Sequence, residues 1–262
     1  MLTNGARLRE ARAHGVSSRM IGRLPKRVSV PHNPAMPNAP GVLSLEYLRR
    51  TPSAGLLLVQ LAGILLYPWM ERSPRGRGLL AAFGLIVLGV AVRVVRKSPW
   101  ATWLGFGLAT LVVGLFVLEA VSSLPALPVA AAALEAAFYF YAAGSLIAYM
   151  MQDWVATTDE LFATGATFTL LVWGFAYAYL AFEAVAPGSF SAPINPQGPR
   201  TWMELMFLSI AVLSGVGLSD ILPVTPFARA VVMLEAFTGV MYLALVVSRL
   251  VALTMLSAKE RK

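Results

Sequence analysis

TWMELMFLSIAVLSGVGLSDILPVTPFARAVV, residues 201–232, joins a short apolar run to a long one through a glycine-containing break. The first run covers residues 203–213 and is too short to cross a bilayer, because a spanning helix needs about 20 residues. The second run extends from residue 227 to about residue 256. Non-helical backbone survives at membrane depth only where protein buries it or where it lines a water-filled cavity. The pattern therefore predicts a re-entrant helix and loop followed by a full membrane span.

The composition predicts a membrane protein. Of the 262 residues, 58% are hydrophobic and 13% are charged, and the mean hydropathy is +0.69. A soluble domain could not bury so much apolar surface and keep a polar exterior. The apolar runs are long and do not alternate, which favours α-helices over a β-barrel. Because the chain has no cysteine, disulfide and thiolate chemistry are excluded.

The apolar runs predict an all-α polytopic membrane protein with six transmembrane helices, and the re-entrant helix and loop lie between helices 5 and 6. A Pro- and Gly-rich turret, residues 187–199, precedes the re-entrant helix at 201–213. The chain then divides into a basic arm at 1–53, a four-helix region at 54–151 and a final domain at 152–262. The six predicted spans cover residues 54–70, 78–95, 100–121, 129–151, 161–184 and 227–256.

The N-terminal arm, residues 1–53, carries nine Lys and Arg against two Glu. Nucleic-acid binding and an organellar transit peptide are alternatives for such an arm. A cytosolic flank that touches anionic lipid headgroups is simpler, so we expect no nucleic-acid partner. An even number of spans with the arm inside puts 16 of the 21 basic residues on the cytoplasmic side. This bias predicts both termini in the cytoplasm and the plasma (inner) membrane as the location.

Residues 215–220 read Gly-Val-Gly-Leu-Ser-Asp, and residues 221–226 read Ile-Leu-Pro-Val-Thr-Pro. Together they resemble the pore region of the potassium channel superfamily, whose filter reads Thr-Val-Gly-Tyr-Gly-Asp and continues as Ile-Val-Pro-Val-Thr-Pro in bacterial members. The resemblance covers residues 161–256 and identifies the re-entrant helix as a pore helix. It implies a homotetramer that conducts a monovalent cation passively, potassium or alternatively sodium. It also implies that the protein is not an enzyme and needs no cofactor.

The resemblance assigns the ion filter to the loop. A column of backbone carbonyls that face one axis replaces the hydration of an ion, and such a backbone needs left-handed dihedrals at alternate positions, which glycine supplies. A non-glycine residue at positive φ costs about 1–2 kcal/mol. Either the outer filter is rearranged, or the serine that replaces the second filter glycine is strained. The residues assigned to the filter are Ser214, Gly215, Val216, Gly217, Leu218, Ser219 and Asp220.

Three departures from the family pattern predict a potassium-like pore with loosened selectivity. Ser219 replaces the second filter glycine, while Gly217 matches the first. Gly215 replaces the threonine whose hydroxyl lines the innermost ion site, a ligand that Ser214 would have to supply. Leu218 replaces an aromatic residue whose hydroxyl ties the filter to the pore helix. Asp220 follows the family and would ring the outer mouth.

Four further positions in the predicted spans are candidates for function. Gly239 lies twenty residues beyond Ser219, the separation of the family's gating hinge, although a helix-packing contact is an equal alternative. Carboxylates are costly in a membrane, so Glu235, Glu135 and Glu119 are candidate functional groups. Glu235 would face the cavity or meet a partner such as Tyr242.

The fourth predicted span, residues 129–151, has no Lys or Arg. It therefore lacks the charges by which a sensor helix responds to the membrane potential. The competing hypothesis is a non-conducting or non-selective channel-like protein that acts as a scaffold or signalling partner. An enzyme is disfavoured because no histidine, paired-acid motif or nucleophile elbow lies in the spans.

Overall fold

The structure is a computed structural model that describes residues 51–72, 84, 86, 87, 89–93, 102–122, 124, 126–152, 157–196 and 198–260. Nearly the whole basic arm, much of the second predicted span and the linker at 153–156 lie outside these residues. The predictions made for those parts stay predictions.

Helices dominate the described chain. They are α1 (Pro52–Arg72), α2 (Thr102–Val121), α3 (Leu127–Met150), α4 (Thr158–Val185), α5 (Trp202–Leu213) and α6 (Pro226–Glu260). Residues 84, 86, 87 and 89–93 are also helical. Two short strands, β1 (Phe190–Ser191) and β2 (Leu222–Pro223), pair in antiparallel register.

Four of the described helices, α1, α3, α4 and α6, are long and apolar enough to cross a membrane. This confirms the prediction of an all-α, multi-pass membrane protein. Their ends lie one to four residues from the predicted ends of the corresponding spans. The third predicted span corresponds to α2, whose apolar part covers Trp103–Leu118. The helix predicted to be too short to span, α5, has 12 residues.

The packing centres on α4, which contacts α1, α3, α5 and α6. An aromatic cluster joins four of these helices: the Trp173 ring on α4 lies 5.5 Å from Tyr139 on α3 and 5.2 Å from Trp202 on α5. Trp202 in turn lies 5.3 Å from Tyr67 on α1. Within one chain, 56% of α4 is buried, whereas only 17% of the apolar part of α6, Pro226–Ala252, is buried. The helix that follows the loop therefore has most of its surface free for other contacts.

Local sequence signals explain where α4 and α5 begin. Thr157 caps α4 by accepting the Glu160 N–H at 3.2 Å. A full capping box starts α5, since the Thr201 hydroxyl accepts the Glu204 N–H and the Glu204 carboxylate accepts the Thr201 N–H. Both arrangements satisfy amides that have no partner inside the helix.

Candidate functional site

The loop at 214–221 connects α5 to β2 and folds back onto the end of α5. The Gly215 N–H donates to the Val212 carbonyl at 3.0 Å, and the Gly217 N–H donates to the Ala211 carbonyl at 2.8 Å. The first of these bonds is typical of a Schellman-type helix end, where a residue at positive φ follows the cap and satisfies the last carbonyls. The start of the loop is therefore held in position by the last turn of α5.

Left-handed backbone occurs at Gly215, with φ of 74°, and at Gly217, with φ of 70°. Ser219 does not share it, because Asn195 is the sole non-glycine residue at positive φ in the described part of the chain. Gly217 is therefore left-handed, as the family pattern implies, whereas the other left-handed position is Gly215 and not Ser219. The physical reason is that Gly215 also ends α5. Of the two alternatives for Ser219, the rearranged outer loop is the one observed.

Ser219 has a different role in this loop. Its hydroxyl accepts the Ile221 N–H at 3.1 Å, and its own N–H donates to the Gly217 carbonyl at 3.1 Å. A serine side chain that bonds a nearby backbone amide stabilises a turn without positive φ. The outer half of the loop thus turns through a serine hydroxyl where the family pattern uses a second glycine.

Several carbonyls of the loop have no protein partner. Across the fully described stretch 214–221, the carbonyls of Gly215, Val216 and Leu218 accept no hydrogen bond. The side chains of Val216 and Leu218 are 63% and 74% exposed, so they do not pack behind the loop. The Ser214 hydroxyl is 3.4 Å from the Ala211 carbonyl. Asp220 is exposed. The loop therefore presents backbone oxygens to its surroundings.

The segment after the loop is anchored to the chain that follows α4. β2 pairs with β1, and the Val224 N–H donates to the Ser189 carbonyl at 2.8 Å. The hydroxyl of Thr225 contacts that of Ser189 at 3.4 Å and accepts the Ala228 N–H at 3.3 Å. Thr225 therefore caps α6, and Pro226 occupies the first helical position, where a missing N–H costs nothing. These bonds account for the Val-Thr-Pro sequence in structural terms.

Two charged side chains, which the sequence analysis did not assign, order the turret at 187–199. The Glu183 carboxylate accepts the N–H groups of Gly188 and Phe190 at 2.9 and 3.1 Å. The Arg200 guanidinium donates to the carbonyls of Asn195 and Gly198 at 2.5 and 2.6 Å. The sequence does contain a signal for these two roles, because an acidic residue precedes the Pro- and Gly-rich segment and a basic residue follows it.

Comparison with known proteins identifies the segment that contains this loop. Residues 165–255 match the family described as ion channel. This segment is similar to the potassium-channel superfamily. The match spans most of α4, then α5, the loop and nearly all of α6, so the resemblance inferred from the loop sequence is confirmed. Together with the apolar helices, the match supports a multi-pass membrane protein that contains a segment similar to ion channels. Neither a curated protein nor a solved structure matches the chain.

Glu235 of the channel segment lies where α4, α5 and α6 meet. Its side chain is fully buried, and its carboxyl oxygens contact the hydroxyls of Tyr179 on α4 and Ser209 on α5. Tyr242, the partner suggested from the sequence, donates instead to the Thr164 carbonyl at 2.5 Å. Glu235 therefore joins three helices of the channel segment within one chain.

The other two candidate carboxylates lie outside the channel segment. Glu135 is half-buried on α3, beside Tyr139 and Tyr177. Glu119 lies near the C-terminal end of α2, and its side chain is outside the described set. Functional roles for both stay predictions.

Gly239 lies against the end of α5. A methyl group at this position would lie 2.2 Å from the carbonyl oxygen of Leu213, the last residue of α5. The packing alternative therefore accounts for this glycine. Since α6 continues without a break through Gly239, its use as a gating hinge stays a prediction.

Proposed function

We propose that this protein is a homotetrameric cation channel of the potassium-channel type, which conducts ions passively. The observation that carries the proposal is the loop at 214–220, in which the carbonyls of Gly215, Val216 and Leu218 lack protein partners within a segment that matches the ion-channel family. Backbone carbonyls can replace the water around a permeant cation. Ser214 to Asp220 would form the filter, and Asp220 would ring its outer mouth.

The tetramer is proposed from what one chain lacks. A filter surrounds an ion with carbonyls from several loops, and each chain supplies one. The exposed face of α6 is apolar, and neighbouring chains and lipid would cover it. Its large exposed side chains include Met233, Leu234, Phe237, Val240, Met241 and Val247. This surface supports assembly of the channel through α6 and the loop.

The proposed topology has six spans and one re-entrant helix. With a rise of about 1.5 Å per residue, α5 is about 18 Å long, while the hydrocarbon core is about 30 Å thick. It would therefore enter and leave the membrane on one side. The spans would be α1, the helix that contains residues 89–93, and α2, α3, α4 and α6. Both termini would be cytoplasmic, in the plasma (inner) membrane, because the basic residues are concentrated on that side.

The basic arm at 1–53 would contact anionic headgroups and not nucleic acid. Each basic residue near a charged membrane surface contributes about 1 kcal/mol, and the arm has nine of them.

No cofactor is needed for passive conduction. The permeant ion would be potassium, with sodium as a competitor, because the outer half of the loop turns through Ser219 and Leu218 cannot donate a side-chain hydrogen bond.

The reversal potential tests this proposal directly. Purified protein is reconstituted in planar bilayers with potassium on one side and sodium on the other, and the potential at zero current is measured. A value near the potassium Nernst potential supports a selective filter, and a value near zero with robust current supports a relaxed cation pore. Gly114→Ala on α2 is the control for substitutions in the loop and should give the wild-type reversal potential, because a methyl group there meets nothing within 4 Å.

A protein that assembles but carries no current would contradict the channel proposal. The scaffold hypothesis would then gain support if the double variant Leu218→Tyr and Ser219→Gly, which keeps the left-handed Gly215, created a current. Mass measurement of the detergent-solubilised protein reports the number of chains separately. A monomer or dimer would contradict the tetramer whatever the current.

A further inference from the structure

The buried junction of Glu235, Tyr179 and Ser209 has no assigned role in conduction. All three side chains have no exposed surface, and they come from α6, α4 and α5 respectively. No basic side chain contacts Glu235 among the described residues. An isolated carboxylate is costly at such a place, because neither water nor a counter-ion offsets its charge.

Counting protons identifies the form of Glu235 that fits these contacts. Ser209 Oγ lies 3.0 Å from the Val172 carbonyl oxygen and also contacts one carboxyl oxygen of Glu235. A serine hydroxyl has one proton, so it cannot satisfy a carbonyl and a carboxylate together. If Glu235 carries the proton, it donates to Ser209, and Ser209 donates to Val172. The Tyr179 hydroxyl then donates to the other oxygen of Glu235, and every contact has its proton.

We propose that Glu235 is a neutral carboxylic acid that positions α5, and with it the filter loop, against α4 and α6. Ser209 lies four residues before Leu213, the last residue of α5. The last turn of α5 holds the loop through the Ala211 and Val212 carbonyls. A shift of α5 at Ser209 therefore moves the loop carbonyls. The effect on ion selection rests on the proposed channel function, but the neutral acid and its hold on α5 do not.

Infrared difference spectroscopy on the full-length protein in lipid membranes tests the neutral acid. We expect the carbonyl band of a protonated carboxylic acid in the wild-type protein, and loss of one such band in Glu235→Gln. A change confined to the carboxylate bands would overturn the proposal. This measurement needs no ion conduction, so it gives a result even if the channel proposal fails.

Variants test the positioning role. Glu235→Gln keeps the hydrogen-bond pattern of the neutral acid, because its amide donates to Ser209 and accepts from Tyr179, so we expect the wild-type potassium-to-sodium permeability ratio. Glu235→Leu and Ser209→Ala should change that ratio by about fivefold, the factor that corresponds to a net hydrogen bond of about 1 kcal/mol. The ratio does not depend on how many channels fold. A shift in Glu235→Gln as large as that in Glu235→Leu would overturn the proposal.

Two controls separate this role from a general loss of side-chain hydroxyls, one at an exposed serine and one at a buried tyrosine. Ser248→Ala removes a hydroxyl that bonds only its own helix, at the Ala244 carbonyl, and should leave the ratio unchanged. Tyr179→Phe should shift the ratio, whereas Tyr242→Phe, which loses a bond to the Thr164 carbonyl, should not. Hydrogen exchange at the amides of residues 215 and 217 gives a readout without conduction. It should be faster in Glu235→Leu than in Glu235→Gln, and equal rates would overturn the hold on α5.

Discussion

The guanidinium of Arg249 on α6 lies 3.2 Å from the carboxylate of Glu160 in the first turn of α4. Both side chains are nearly buried, with 12% and 9% of their surface exposed. The neighbouring Asp159 accepts the Ser53 N–H at the start of α1 and the Tyr149 hydroxyl on α3. Two adjacent acids at the start of α4 therefore bind three other helices, at the end of the channel segment away from the loop.

Breaking the ion pair should destabilise the protein. Glu160→Gln removes this ion pair, and Arg249→Met leaves the nearly buried Glu160 carboxylate without its counter-ion, which costs about 3 kcal/mol or more. Thermal unfolding of the protein in lipid nanodiscs measures the loss, and the exchanged pair Glu160→Arg with Arg249→Glu should recover part of it. Equal stability of the single variants and the wild type would show that the pair contributes nothing.

Gly239→Ala should disrupt the contact between α6 and α5. The new methyl group would lie 2.2 Å from the Leu213 carbonyl oxygen, and overpacking of this kind costs about 1–3 kcal/mol. We expect a lower unfolding temperature and a changed permeability ratio, because Leu213 directly precedes the loop. Gly114→Ala is the control, since its methyl group has open space and alanine favours a helix by about 1 kcal/mol. A stable, unaltered Gly239→Ala protein would contradict the observed packing.

The loop glycines should not tolerate side chains. Gly215→Ala and Gly217→Ala place a residue at positive φ, at a cost of about 1–2 kcal/mol each, and should abolish selective current. Ser219→Gly should have a smaller effect on current, because Ser219 is not left-handed and loses only the hydroxyl bond to Ile221. Current recordings compare the three variants. Full activity of Gly215→Ala together with improved selectivity of Ser219→Gly would favour left-handed positions at 217 and 219.

Arg200→Lys should loosen the turret. The buried guanidinium donates to two turret carbonyls, and an ammonium group cannot reproduce this planar fork. Hydrogen exchange should become faster at the amides of residues 189–200. Arg229→Lys is the control, because that exposed arginine makes a single bond to the Pro223 carbonyl. Unchanged exchange in Arg200→Lys would show that the turret is ordered without the guanidinium.

Features that depend on neighbouring residues were readable from the sequence. The lengths of the apolar runs predicted the four helices that are long enough to span a membrane, and the loop residues identified the channel family. The left-handed conformation of Gly215 was also within reach, because a glycine just after a helix is the usual C-terminal signal. It was missed because the family pattern assigned the alternate positions to Gly217 and Ser219.

The tertiary structure decided which helices meet and through which atoms. Glu235 binds residues 26 and 56 positions away, and Gly239 contacts a carbonyl of another helix. An apolar pattern shows that a helix is buried but does not give its rotation or its crossing point. The sequence therefore could not show that Tyr242, one turn beyond Gly239 on α6, donates a hydrogen bond to the Thr164 carbonyl. Local sequence determines the helices and their caps because those interactions span about four residues, whereas the buried polar junction exists only once α4, α5 and α6 are packed together.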